Sequence, residues 1–206
     1  MAESKPYHHA NLRQTLLEAA VALIGEVGLH AFTLREVARR ADVSHNAPYR
    51  HFAGKDELLV AVAAEGFDRL TAAMLRAQER GKSPLERLHL CGCGYVDFAL
   101  RWPHHFLAMF DLPATLRERC KDQAVGESAF HVLLHCITAV QHAGDLPKED
   151  PLRQAWAAWS LVHGIAKLAV SGNLPLTSRA TIEFTRSATQ AFFGGKIPAK
   201  SSSGKR

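Results

Sequence analysis

The sequence reads as an all-α protein, an N-terminal three-helix helix-turn-helix domain followed by a larger helical domain. Three observations predict this. Apolar residues recur at three- and four-residue spacing along nearly the whole chain; helix-start signals stand before most of these stretches; and no alternating apolar run of strand type occurs.

The elements follow in order. Leu12, Leu16, Ala20, Leu23 and Val27 place one apolar stripe on a helix over 11–27, with Asn11 as N-cap and Gly28 as left-handed C-cap. Thr33 followed by Glu36 is a capping box opening a second, short helix that ends at Arg40. After the tight Ala41-Asp42-Val43 link, Ser44 caps a third helix, and Lys55-Asp56-Glu57 opens a fourth running to about Arg80. Ser83-Pro84-Leu85-Glu86 starts another, ending near Trp102-Pro103; Pro103 begins a short amphipathic turn, and Pro113 breaks the pattern again. A helix through Phe130, Leu134 and Ile137 closes near Gly144. Asp150-Pro151 opens the next, Gly172-Asn173 ends it, and Thr177 or Ser178 opens a last one to Phe193. The expected division is 1–55, 56–195 and a disordered basic tail at 196–206.

Composition narrows the function. There is no run of about 18 apolar residues, so no membrane span is expected, and the polar start lacks the apolar core of a signal peptide; the expectation is a cytoplasmic protein. Cys91, Cys93, Cys120 and Cys136 are too few for a disulfide framework, and reduced thiols are the default. The net charge is +5, yet residues 196–206 alone carry four Lys/Arg and no acid, residues 1–55 carry +2, and the stretch between them −1. Net charge therefore does not by itself mark a nucleic-acid binder.

The informative segment is Phe32 to Lys55. Phe32, Leu34, Val37, Ala38, Val43, Ala47 and Phe52 form a shared apolar core, and the polar residues of the third helix face outward: His45 with Tyr49, and Asn46 with Arg50. Arg can bond guanine in two places and Asn adenine, while Ser and Tyr suit phosphates or thymine methyls. Lys55 stands at a helix N-terminus, where charge and backbone amides together can hold a phosphate. Pro48 removes one backbone donor, expected to delete only the first intrahelical bond.

Thr33-Leu34-Arg35-Glu36-Val37-Ala38-Arg39-Arg40-Ala41-Asp42-Val43-Ser44, with Tyr49-Arg50-His51-Phe52 and Lys55-Asp56-Glu57-Leu58-Leu59, resembles the TetR/AcrR-like transcriptional regulators over roughly residues 8–60. Asp42 and Asn46 depart from it, standing where Gly is commoner. The resemblance implies a homodimeric repressor that binds a palindromic operator and is released by a small-molecule effector. No enzyme is expected, because nothing fixes partners for the Cys and His residues or an oxyanion site, and no cofactor or resident metal is expected. It assigns DNA contacts to Thr33, Ser44, His45, Asn46, Tyr49, Arg50, His51 and Lys55, with operator choice at Arg50. Tyr7-His8-His9, the Ala47-to-Phe52 block and Trp159-Ser160-Leu161-Val162-His163-Gly164 resemble one subgroup with a C-terminal Trp…His-Gly signature. His8 and His9 read as a minor-groove arm or an unordered N-terminus.

Two further sets complete the expectations. Tyr95, Phe98, Trp102, His105, Phe106, Met109, Phe110, His131, His135, Trp159 and His163 are candidates to line an apolar effector pocket with a few polar anchors. Trp156, Trp159, His163, Val170, Ile182, Thr189 and Phe192 form stripes suited to a four-helix dimer interface. An alternative is a metal- or thiol-responsive sensor using His131 with His135, four apart on a helix, or His89 with Cys91 and Cys93.

Overall fold

The computed structural model describes residues 12–121 and 125–194. Asn11, His8, His9 and the tail at 196–206 lie outside the described residues, as does the side chain of Cys120. The described residues contain no strand. Their helices are α1 (Leu12–Val27), α2 (Leu34–Arg40), α3 (Lys55–Gln78), α4 (Pro84–Arg101), α5 (Pro103–Phe110), α6 (Ala114–Lys121), α7 (Val125–Ala143), α8 (Pro151–Val170) and α9 (Ser178–Phe192), with a single 3-10 turn at Pro48–Arg50.

The starts follow local chemistry. The Thr33 hydroxyl accepts from the Glu36 amide (3.3 Å), and the Glu36 carboxylate accepts from the Thr33 amide (2.7 Å), a complete capping box. Ser83 caps α4 through the Glu86 amide, Asp150 caps α8 through the Leu152 amide, and Thr177 caps α9 through the Ala180 amide. Pro84, Pro103 and Pro151 each open a helix, where a missing N–H costs nothing. Gly28 follows α1 with φ +87° as its left-handed C-cap.

The third helix is a correction. The segment expected as an α-helix capped by Ser44 is a series of tight turns: Ala47 N bonds Ser44 O (2.9 Å), Arg50 N bonds Ala47 O (3.2 Å) and His51 N bonds Pro48 O (3.0 Å). The physical cause is Pro48. It has no N–H to give Ser44 O, and its ring occupies the space an α-helical carbonyl four residues earlier would need. Ser44 O is satisfied from Ala47 instead, the chain continues with three residues per turn through Arg50, and Phe52 N then closes on Pro48 O (2.9 Å) with α-type spacing.

The chain divides into two compact units. One comprises residues up to Asp68 together with Trp102–Gly126; the other comprises Arg69–Arg101 and the residues from Glu127 onward. In the first unit, Leu16, Ala20, Phe32, Val37, Ala38, Phe52, Leu58, Val62, Phe106 and Met109 form the core. Two helical glycines let α5 approach closely. A Cβ on Gly25 would lie 2.1 Å from the His104 ring, and one on Gly66 would lie 2.6 Å from Met109 Sδ. His105, buried on α5, has Nε2 3.7 Å from the Glu65 carboxylate.

In the second unit α4 packs against both α8 and α9, which also pack on each other. Gly94 lets α4 approach α3 residues: an added Cβ would lie 2.8 Å from the Ala73 carbonyl oxygen and 2.8 Å from Ala77 Cβ. The inward face of α9 is polar in composition, being Thr181, Thr185 and Thr189, all buried. Each hydroxyl donates to a carbonyl one turn back (Thr177, Thr181 and Arg186, at 2.8–3.0 Å), so the methyls meet the core and no hydroxyl is stranded.

Candidate functional site

The turn between α2 and the recognition segment is built first. The Asp42 amide donates to Arg39 O and the Val43 amide to Ala38 O, closing α2 with Asp42 left-handed at φ +52°. This two-bond stop sets the exit direction of the chain. A bidentate Arg40–Glu26 pair then fastens α2 to α1.

Beyond the turn, burial divides the segment cleanly. Ser44, His45, Asn46, Tyr49, Arg50 and His51 are exposed, with Tyr49 at 53%. Ala47, Pro48 and Phe52 are buried. The expected outward polar surface on an apolar footing is therefore present although the helix type differs. Arg13, in the first turn of α1, places its guanidinium 5.5 Å from the Phe52 ring centroid and so stands beside the segment. Arg35 and Arg39 are exposed on one face of α2, opposite buried Leu34, Val37 and Ala38. These three arginines lie outside the set of contacts expected from the sequence. The spacing of Arg35 and Arg39 could have marked them; the position of Arg13 depends on tertiary packing.

Thr33 and Lys55 are occupied differently from the expectation. The Thr33 hydroxyl belongs to the capping box. The Lys55 ammonium donates to the His30 carbonyl at 2.8 Å and lies 4.3 Å from the centroid of the Phe32 ring, so it ties the start of α3 to the loop before α2. Partial burial pulls its pKa below the usual lysine range, with Asp56 and Glu36 opposing.

The pocket candidates are shared between the units. Trp102, His105, Phe106, Met109 and Phe110 belong to the first, where Phe106 and Phe110 pack at 5.0 Å and Phe67 meets Phe110 edge-on at 5.8 Å. Tyr95, Phe98, Trp159 and His163 belong to the second. There the Trp159 indole donates to the Tyr95 hydroxyl (3.2 Å), which lies 2.9 Å from His163 Nδ1. Desolvation raises the Tyr95 pKa far above the ordinary phenol value, so its phenol is neutral. His131 and His135 are corrections: both are exposed, because Ala129, Leu133, Cys136, Ile137 and Val140 take the inward face of α7.

The dimer stripes are also partly redirected. Trp156 (54%) and Phe192 (46%) are exposed, and Val170 and Ile182 are half-buried. Thr189 is buried inside its own chain, at 3.3 Å from a Cβ placed on Gly92, and Trp159 and His163 turn toward Tyr95. Phe184, Leu168 and Leu152, not selected from the sequence, are exposed apolar residues on α8 and α9. Trp156 stacks on Trp159 (5.4 Å, 13°), with Phe130 against both.

Among the described residues no group of three or more His, Cys, Asp or Glu side chains could hold a metal ion. Burial raises the Cys93 thiol to about 11, and the hydrogen bond to Cys136 together with burial raises Cys91. Cys136 is lowered by the same bond, and its thiol donates to Gln78 Oε1 at 2.9 Å. No described helix is long and apolar enough to cross a membrane.

Comparison with known proteins agrees with this arrangement. Residues 16–62 match the family described as bacterial regulatory proteins, tetR family, and residues 88–192 match the tetracyclin repressor-like C-terminal domain. The HTH-type transcriptional repressor KstR of Mycolicibacterium smegmatis is 38% identical over 77 residues, 37% of this chain and 38% of the repressor, so the match spans well under half of that relative. A protein of unknown function from Rhodococcus sp. RHA1 superposes with a TM-score of 0.78 at 34% identity over 93% of this chain and 98% of the other. FadR from Bacillus subtilis, solved with stearoyl-CoA, shares the fold at 15% identity (TM-score 0.76, 88% and 98% covered). The chain, whose two matched segments cover both the helix-turn-helix and the helical bundle, belongs to the TetR family of bacterial regulatory proteins.

Proposed function

We propose that the protein is a homodimeric transcriptional repressor acting in the cytoplasm, released from a palindromic operator by a small-molecule effector. The observation that supports it most is the exposed set Ser44, His45, Asn46, Tyr49, Arg50 and His51 standing on buried Ala47, Pro48 and Phe52. Asn46 and Arg50 carry base-edge chemistry; Ser44, His45, Tyr49 and His51 flank them, and Thr33 and Lys55 hold the frame at its two ends. The division of labour is DNA binding in 1–55, effector binding and dimerisation in 56–195, and non-specific phosphate attraction from 196–206. The Trp159-to-Gly164 run supports assignment to the subgroup that shares a Trp…His-Gly signature.

Dimerisation uses the outer faces of α8 and α9, where exposed Trp156, Leu168, Phe184 and Phe192 offer the apolar area that a stable interface needs. The effector is largely apolar with a polar end, and Tyr95, Trp159 and His163 are its anchors. Acyl-CoA thioesters are the first class to test, since a structural neighbour was solved with stearoyl-CoA. An effector releases the operator only through differential affinity for the two states, typically about 1–3 kcal/mol of coupling. The test is a gel shift against the DNA upstream of its own gene, with and without acyl-CoAs. A sequence-specific shift relieved by one of them supports the reading; equal binding to random duplex contradicts it.

A further inference from the structure

We infer that Pro48 is a positioning residue for DNA specificity: it re-aims Tyr49, Arg50 and His51 by forcing the recognition segment out of α-helical geometry. This rests on the DNA-binding reading above and goes beyond it, because no contact with DNA is assigned to Pro48, which is buried.

The geometry carries the argument. From Ala47, which is still right-handed helical at φ −61° and ψ −42°, the chain turns with bonds from Arg50 to Ala47 and from His51 to Pro48. A 3-10 turn advances about 120° and 2.0 Å per residue, against about 100° and 1.5 Å in an α-helix. Three steps on, at Arg50, the accumulated difference is about 60° and 1.5 Å. At a helix radius of about 5–6 Å including side chains, 60° moves the emerging side chain by about 5–6 Å. That exceeds the roughly 3.4 Å between successive base pairs. A residue aimed from a 3-10 turn therefore addresses a different base pair from one aimed at the same sequence position on an α-helix.

Ser44 O already accepts from Ala47 N at 2.9 Å, and only the missing N–H and the ring of Pro48 keep it from the α-helical partner. Asn46 lies inside the Ser44–Ala47 turn that replaces the bond Pro48 cannot donate, so its aim follows from residue 48 as well. The α2 stop thus sets where the segment begins, and Pro48 sets the aim of the residues from Asn46 to His51.

The experiment selects duplexes from a randomised pool with the full-length wild type, Pro48→Ala and Pro48→Leu. Circular dichroism establishes folding, and affinities are measured on the wild-type sequence and on a random duplex. The expected result is that both variants fold and select a sequence changed at the bases read from Asn46 to His51. They should bind the original sequence about tenfold or more weakly, one bidentate base contact, with random-duplex affinity unchanged. An unchanged selected sequence, or equal losses on both duplexes, overturns the inference. Failure of both variants to fold overturns it too, since Pro48 would then hold the domain together and not aim it. A wild type that selects no sequence refutes the DNA-binding reading itself and is recognised by that arm alone.

Discussion

Asp42 occupies the left-handed position of the α2 stop at φ +52°, the only described non-glycine residue with positive φ. For an L-residue this conformation costs about 1–2 kcal/mol, less for Asp than for most residues, and glycine avoids it at an unfolded-state entropy cost of about 0.5–1 kcal/mol. A carboxylate just past a helix C-terminus also opposes the macrodipole by about 0.3–1 kcal/mol when little screened. Asp42→Gly is therefore expected to stabilise by about 0.5–1 kcal/mol, raising Tm by about 1–4 °C for a chain of this size. Asp42→Asn should recover only the charge part, a few tenths of a kcal/mol, and Asp42→Ala should gain nothing, because its backbone stays strained. Thermal melts of the four proteins at low ionic strength and again in high salt separate the contributions. Salt should erase the Asn gain and leave most of the glycine gain. If Ala stabilises as much as Gly, or Gly does not stabilise at all, the backbone argument fails.

Other perturbations test the second unit. His89, buried on α4 with Nδ1 lacking a hydrogen-bond partner and its ring 6.2 Å from Phe193, is held below the ordinary imidazole range by burial first and Arg186 second, Glu86 opposing. The unfolded chain takes up a proton as pH falls through about 6.5 while folded His89 resists, so its contribution to stability is lost on acidification. His89→Leu should flatten that part of the Tm–pH curve and stabilise by about 1 kcal/mol at pH 7. Tyr95→Phe removes the oxygen that contacts both Trp159 and His163 and should cost about 1–2 kcal/mol in a denaturant melt. Gly94→Ala drives a Cβ to 2.8 Å from the Ala73 carbonyl oxygen and should cost about 1–3 kcal/mol, whereas Gly54→Ala, with nothing within 4 Å, should not suffer that steric cost.

Much of the fold was legible because its determinants are local. The capping box at Thr33 and Glu36, the Ser83, Asp150 and Thr177 caps, and prolines at helix starts act over three or four residues, which is the range a sequence displays directly. Residues that needed the third dimension were harder. Thr181, Thr185 and Thr189 look like a surface stripe until their hydroxyls are seen bonded to their own helix, which frees them for burial. Lys55 looks like a phosphate ligand until the His30 carbonyl and Phe32 ring are placed beside it. His131 and His135 share a face, but spacing alone does not say which face the core takes. At the candidate interface the exposure of Asn46 and Arg50 is readable from the buried positions between them; the effect of Pro48 on turn type is not, since one missing donor changes the bonding around it.

The outward polar surface is tested most directly by measuring Asn46→Ala and Arg50→Ala binding to the selected operator and to a random duplex at fixed salt. Each change should weaken operator binding by about 1–3 kcal/mol and leave random-duplex affinity nearly unchanged. Equal losses on both duplexes, or none on either, would mean that these side chains do not read bases.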